Sequence, residues 1–114
     1  MQLFGIPNCN TVKKARDWLT SHDMKYEFHD FKKHGVNHAM LEGWLSQSPW
    51  EKLVNRAGMT WRNLSDAEKT AVIDANTALN LMLVKPSVIK RPILIKNGKI
   101  VCLGFTEAAY KELL

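Results

Sequence analysis

Cys9 stands where a chain can make a thiol reactive. It follows the apolar run Gln2-Leu3-Phe4-Gly5-Ile6 and the turn pair Pro7-Asn8, and a helical pattern begins just after it. A cysteine at the first turn of a helix meets unpaired N–H groups and the positive end of the helix dipole, which favour the thiolate. Lys13 and Lys14 add positive charge close by in sequence. The alternative reading is a small residue filling a tight turn. Three positions on stands Val12, not a second cysteine. Local disulfide closure is therefore unavailable, so redox cycling at Cys9 has to be monothiol and draw on an external thiol such as glutathione.

Other residues could complete such a site. Asn10 and Thr11 would supply N–H donors at the helix start. Arg91-Pro92 precedes a hairpin. In mixed-sheet folds with a cysteine at the first helix, a proline at this point is expected to be cis and to face the thiol, presenting backbone to an extended substrate. Arg91 would offer a planar, permanently charged fork to a carboxylate or oxyanion, or else lie solvated beside a strand. Arg62 either faces the same pocket or lays its stem over apolar surface. Cys102, mid-strand in an apolar hairpin, is expected to pack in the core; resolving Cys9 would require their Cα atoms within about 7 Å. No metal site is expected, because Gly35 between His34 and His38 argues against a shared helix face. The four tryptophans read as packing residues.

The elements that position these residues follow from periodicity. Residues 2–6 form a strand. Val12, Ala15 and Leu19 mark a helix capped by Asn10 or Thr11. Tyr26 to Phe31 alternate as a second strand, broken at Lys32-Lys33-His34-Gly35. Asn37 opens a helix with Met40, Leu41, Trp44 and Leu45 on one face, closed by Ser48-Pro49. Ser65 and Glu68 form a capping box, and the period continues through Ala71, Val72, Ala75, Leu79 and Met82 to Leu83 as one helix. Asn97-Gly98 between two apolar runs signals a two-residue hairpin, and Thr106-Glu107 starts a terminal helix. The first strand–helix–strand unit implies a parallel pair, and the hairpin adds an antiparallel one. The expected fold is α/β: a mixed four-stranded sheet (βαβ…ββα) in one domain, 1–114, with a helical insertion at about 37–84.

Composition narrows the classes. The chain has 114 residues, 46% hydrophobic, which suits one ordered domain. Two cysteines exclude a disulfide scaffold, and no signal peptide or membrane-length apolar run is visible. A cytoplasmic domain with reduced thiols is expected, without membrane or nucleic-acid partners and monomeric. The net charge of +5 lies mostly outside the near-neutral helical middle. It includes Lys13, Lys14, Lys90 and Arg91, on the two segments expected to meet at Cys9, and suits an anionic small molecule better than nucleic acid.

Pro7-Asn8-Cys9, Met59-Thr60-Trp61-Arg62, Lys90-Arg91-Pro92-Ile93 and the tail from Cys102 to Glu107 carry a resemblance over essentially the full length. The chain resembles the ArsC/Spx family of thioredoxin-like proteins, most of all its small YffB-type branch. The resemblance implies a thioredoxin-like fold, Cys9 as nucleophile and Pro92 as the cis proline. Arg62 and Arg91 match two of the three arginines around the oxyanion in the family's arsenate reductases; the third falls near Leu103. The leading expectation is a glutathione-linked monothiol oxidoreductase: Cys9 catalytic, Asn10, Thr11, Arg62, Arg91 and Pro92 binding substrate, glutathione as co-substrate and no bound cofactor. The alternatives are an arsenate reductase served by glutathione and glutaredoxin, and a non-catalytic protein-binding module of the Spx type.

Overall fold

The computed structural model describes residues 1–114, which divide into two compact units: Met1–His34 with Arg91–Leu114, and Gly35–Lys90.

The first unit is built on a four-stranded sheet. Strand β1 (Gln2–Gly5) leads through Pro7 and Asn8 into helix α1 (Asn10–Ser21), and the chain returns as β2 (Glu27–Asp30), parallel to β1. Strands β3 (Ile93–Lys96) and β4 (Lys99–Leu103) form the late hairpin, and α8 (Glu107–Lys111) ends the chain. The strand order is β2-β1-β3-β4, with β3 antiparallel to both β1 and β4. This is the mixed sheet that the βαβ…ββα order implies. The hairpin turns at Asn97 and Gly98, with φ of +52° and +77°, the positive values a two-residue turn needs to follow strand twist. A bulge at Leu94/Ile95 leaves Val101 without a partner across the hairpin.

One face of this sheet carries a core of Leu3 and Leu94 from the strands, Ala15, Trp18 and Leu19 from α1, and Tyr110 from α8, all buried. The period of the helix explains it: Val12, Ala15, Trp18 and Leu19 repeat at three- and four-residue intervals and are buried, while Lys13, Lys14 and Asp17 between them are more exposed. Alternation places Phe4, Ile93 and Ile95 on the opposite face, also buried. Strand β2 stops one residue sooner than its alternation suggests. The Asp30 carboxylate accepts from the N–H groups of Lys32 and Lys33 (2.8 and 3.3 Å), so Phe31 begins a single helical turn, α2 (Phe31–His34).

The second unit is helical: α3 (His38–Leu45), α4 (Trp50–Leu53), α5 (Met59–Arg62), α6 (Asp66–Thr70), α7 (Ala75–Val84) and a 3₁₀ turn at Pro86–Val88. Asn37 caps α3, its side chain accepting from Met40 N–H at 2.9 Å. Leu41, Trp44, Leu53, Val54, Leu64, Leu79, Met82 and Ile89 are buried here. Val54 and Ile89 form an antiparallel bridge, flanked by Asn55 N–H to Val88 O (2.8 Å) and Lys90 N–H to Leu53 O (2.7 Å). These bonds tie the unit's exit to its middle, so it runs on to Lys90.

The single helix expected from Ser65 to Leu83 is two helices. The Ser65–Glu68 capping box forms as expected, but α6 ends at Thr70. Asp74 and Thr77 make a second capping box, and satisfying those N–H groups starts a separate helix there. The apolar period through Ala71 and Val72 does not report this break. No helix in the chain is long and apolar enough to cross a membrane.

Candidate active site

The β1–α1 connection makes Cys9 the N-cap of α1. Its backbone is extended (φ −140°, ψ 124°) and its carbonyl accepts the first intrahelical bond, from Lys13 N–H at 2.9 Å. The cap was expected at Asn10 or Thr11; it falls one residue earlier, and no side-chain hydrogen bond caps the first turn. The backbone N–H groups of Val12 and Thr11, the third and second helical residues, act instead on the charge state of Cys9, favouring its thiolate. Asn10, the first helical residue, is exposed.

Arg91 completes this arrangement from the other end of the chain. It precedes β3, is half-buried, and its side chain hydrogen-bonds to Cys9. The Arg91–Pro92 bond is cis, the form expected for it. Pro92 is buried, and its carbonyl accepts from Gly104 N–H at 2.8 Å, which joins the start of β3 to the end of β4.

The electrostatics of the thiol are a contest with a clear result. Partial burial pushes the Cys9 pKa up, and this is the largest single influence. It is outweighed by the Val12 N–H, the Arg91 hydrogen bond, the Thr11 N–H and the Arg91 charge acting together, so Cys9 titrates below the ordinary thiol value. Cys102 contrasts with it. Half-buried against the Leu3–Trp18–Tyr110 core, it has its pKa raised by burial, and its Sγ–H points to Gly104 O at 3.5 Å. It packs as expected. Both cysteines are free thiols, and only Cys9 has an environment that favours the thiolate.

Sequence reasoning missed Val12. That position was notable for lacking a second thiol, whereas its backbone N–H is a donor to the first. Capping geometry carries the signal, because the third helical N–H faces the N-cap side chain whatever residue supplies it. Val12 is fully buried and packs on Gly5 of β1, where a Cβ would lie 2.9 Å from Val12 Cγ2.

Arg62 ends α5 in the helical unit. Its side chain is exposed and its carbonyl accepts from Lys69 Nζ at 3.3 Å. Lys13 and Lys14 lie on the outer side of α1. No group of three or more His, Cys, Asp or Glu side chains is placed to hold a metal ion.

Comparison with known proteins agrees with this architecture. A solved structure described as YffB protein superposes with a TM-score of 0.91 at 43% identity, covering 97% of this chain and 96% of that one. An arsenate reductase (ArsC) related protein from Brucella melitensis matches at 45% identity and a TM-score of 0.79, covering 97% and 91%. Among curated relatives, the global transcriptional regulator Spx of Streptococcus mutans is 28% identical over 98% of this chain and 81% of its own length. The ArsC family model matches residues 4–113. With the thiol at the first helix, the mixed four-stranded sheet and this near-complete match, the chain belongs to the ArsC family.

Proposed function

We propose that the protein is a glutathione-linked monothiol oxidoreductase with Cys9 as its nucleophile. The observation that carries this reading is the Cys9 sulfur held by two helix-start N–H groups and by Arg91, with Val12 where a local resolving cysteine would stand.

The Cys9 thiolate attacks the glutathione sulfur of a mixed disulfide RS–SG. The Cys9–SG bond forms, the old S–S bond breaks, and RS⁻ leaves and takes up a proton. A glutathione thiolate then attacks Cys9–SG, giving glutathione disulfide and restoring the Cys9 thiolate. Two electrons pass to the mixed disulfide, and its glutathionyl group leaves with the incoming glutathione as the disulfide. Thr11 and Val12 N–H groups stabilise the thiolate at the start and end of the cycle, and Asn10 adds a helix-start donor for the bound substrate. Arg91 holds an anionic group of glutathione or of the substrate, since a guanidinium pairs with a carboxylate through two parallel bonds. Pro92 shapes the segment against which an extended thiol substrate lies. A reducing, cytoplasmic setting suits a lone working thiol, and the protein acts as a monomer.

The test is mass spectrometry after exposure to glutathione disulfide. A glutathione adduct on Cys9, absent from Cys102, together with loss of glutathione-dependent disulfide reduction in Cys9→Ser, is the expected result. No adduct on Cys9 would overturn the proposal.

The arsenate reductase related relative favours a second reading, reduction of arsenate with glutathione and glutaredoxin. Turnover of arsenate with both supplied would support it. The Spx relative favours a third, a protein-binding module. Recovery of RNA polymerase by both wild type and Cys9→Ser would select it and leave the thiol incidental.

A further inference from the structure

The contact between Gly5 and Val12 joins the central strand to the helix start that holds the Cys9 sulfur. A Cβ on Gly5 would lie 2.9 Å from Val12 Cγ2, 3.5 Å from Cγ1 and 3.8 Å from Cβ. Ordinary contact begins at 3.4 Å, so Val12 would have to retreat by about 0.5 Å.

The side chain cannot absorb that displacement alone. Valine is branched at Cβ and has one strongly preferred rotamer in a helix. Both of its methyls lie near the site, and the residue is fully buried. The strand cannot yield either. β1 is paired on both edges, Gly5 itself lying opposite Asp30 in the register with β2 and Phe4 opposite Ile93 of β3. What can move is the first turn of α1, whose start has no side-chain cap to anchor it. A shift there carries the Val12 N–H away from a sulfur held by the β1–α1 connection.

We propose that Gly5 is a positioning residue for the reactive thiol: its lack of a side chain lets Val12 seat on β1, which aims the Val12 N–H at Cys9. The bare backbone at position 5 acts on the sulfur only through Val12 and never touches substrate. The proposal rests on the reading of Cys9 as a stabilised thiolate. It extends that reading by naming what holds the donor in place. The N–H that Gly5 positions is the strongest of the influences favouring the Cys9 thiolate.

The test is the pH profile of Cys9 alkylation by iodoacetamide in wild type, Gly5→Ala and Gly5→Ala/Val12→Ala, with the modified residue identified by mass spectrometry. Gly5→Ala is expected to move the profile to higher pH and slow Cys9 alkylation near pH 6 by about tenfold, because only the thiolate reacts. Removing the two Val12 methyls opens the space that the added methyl at position 5 needs, so the double variant should return toward the wild-type profile. A change in overall stability alone would not produce that rescue. If Gly5→Ala fails to fold, a folded double variant with the wild-type profile supports the proposal. A double variant that also fails to fold, or folds with the profile still raised, overturns it.

A low wild-type profile left unchanged by Gly5→Ala overturns the positioning role and leaves the thiolate reading intact. A wild-type profile centred near the ordinary ~8.5 overturns both. Glutathione transfer that persists in Cys9→Ser removes the proposed function and leaves the positioning role to be judged on the alkylation profiles alone.

Discussion

Arg91 donates a side-chain hydrogen bond to Cys9 and lends it a full positive charge, although Arg91 leads into β3 and Cys9 caps α1. The pairing follows from topology. β1 and β3 are antiparallel neighbours with Phe4 opposite Ile93, so the residues just after β1 and just before β3 emerge at the same end of the sheet.

Arg91→Gln removes both the charge and the fork, and Arg91→Lys removes the fork alone. Both are expected to raise the Cys9 pKa, Gln more than Lys. At pH 7 the Gln variant should alkylate Cys9 roughly tenfold more slowly, given what hydrogen bonds to charged groups contribute. Alkylation kinetics across pH measure this, and an unchanged profile in Arg91→Gln would remove Arg91 from the site.

The depressed pKa also makes stability depend on pH. The folded Cys9 pKa lies below the ordinary thiol value of about 8.5. Its contribution is therefore fully present above that ordinary value and is lost as pH falls through the folded pKa. Urea unfolding of wild type and Cys9→Ser, compared from about pH 5 to about pH 9.5, should show the wild-type advantage growing with pH and then levelling. Cys102 is common to both proteins and cancels. A difference that shrinks with pH would contradict the thiolate assignment.

Tyr110 carries its hydroxyl into the core of the sheet unit, where the atom is buried without a hydrogen-bond partner. Burial there pushes its pKa up. The ring does the packing, edge-on to Trp18 at 5.4 Å and to Phe105 at 4.7 Å. Tyr110→Phe keeps the ring and discards the desolvated group, so it should leave stability unchanged or raise it by up to about 1 kcal/mol. Thermal unfolding checks this; a loss of more than about 1 kcal/mol would contradict it.

The same substitution should have opposite signs at two glycines. Gly98 sits at φ +77° in the hairpin, and Gly43 lies within α3; a Cβ at either meets nothing within 4 Å. Gly98→Ala should cost about 1 kcal/mol because a side chain disfavours that backbone region. Gly43→Ala should stabilise by roughly 0.5–1 kcal/mol through helix propensity and a less flexible unfolded chain. Denaturant midpoints of the two variants decide it, and equal signs would be inconsistent with these backbone assignments.

Short-range chemistry made much of the fold legible. Asn97-Gly98 could hardly serve anything but a tight hairpin, and Asn37 and Ser65–Glu68 cap helices where they were expected. Cys9 was placed at a helix start by the strand-and-turn run before it. The break between α6 and α7 was harder to see, because Ala71 and Val72 keep the helical period while Asp74 and Thr77 restart the helix. Two local preferences competed there, and hydrogen bonding to the backbone prevailed over apolar spacing.

Residue order alone determined that this protein has one thiol at a helix start, no partner cysteine at Val12, and a strand–helix–strand unit with a later hairpin. Such features depend on neighbours a few positions apart, which bonding geometry and turn chemistry constrain directly. Tertiary structure decided what surrounds the sulfur. Arg91 reaches Cys9 because β3 lies antiparallel beside β1, and the Val12 N–H faces it because the helix start seats on Gly5. Strand pairing and close packing are relations between distant segments, and they arise only when the sheet forms and α1 docks on it.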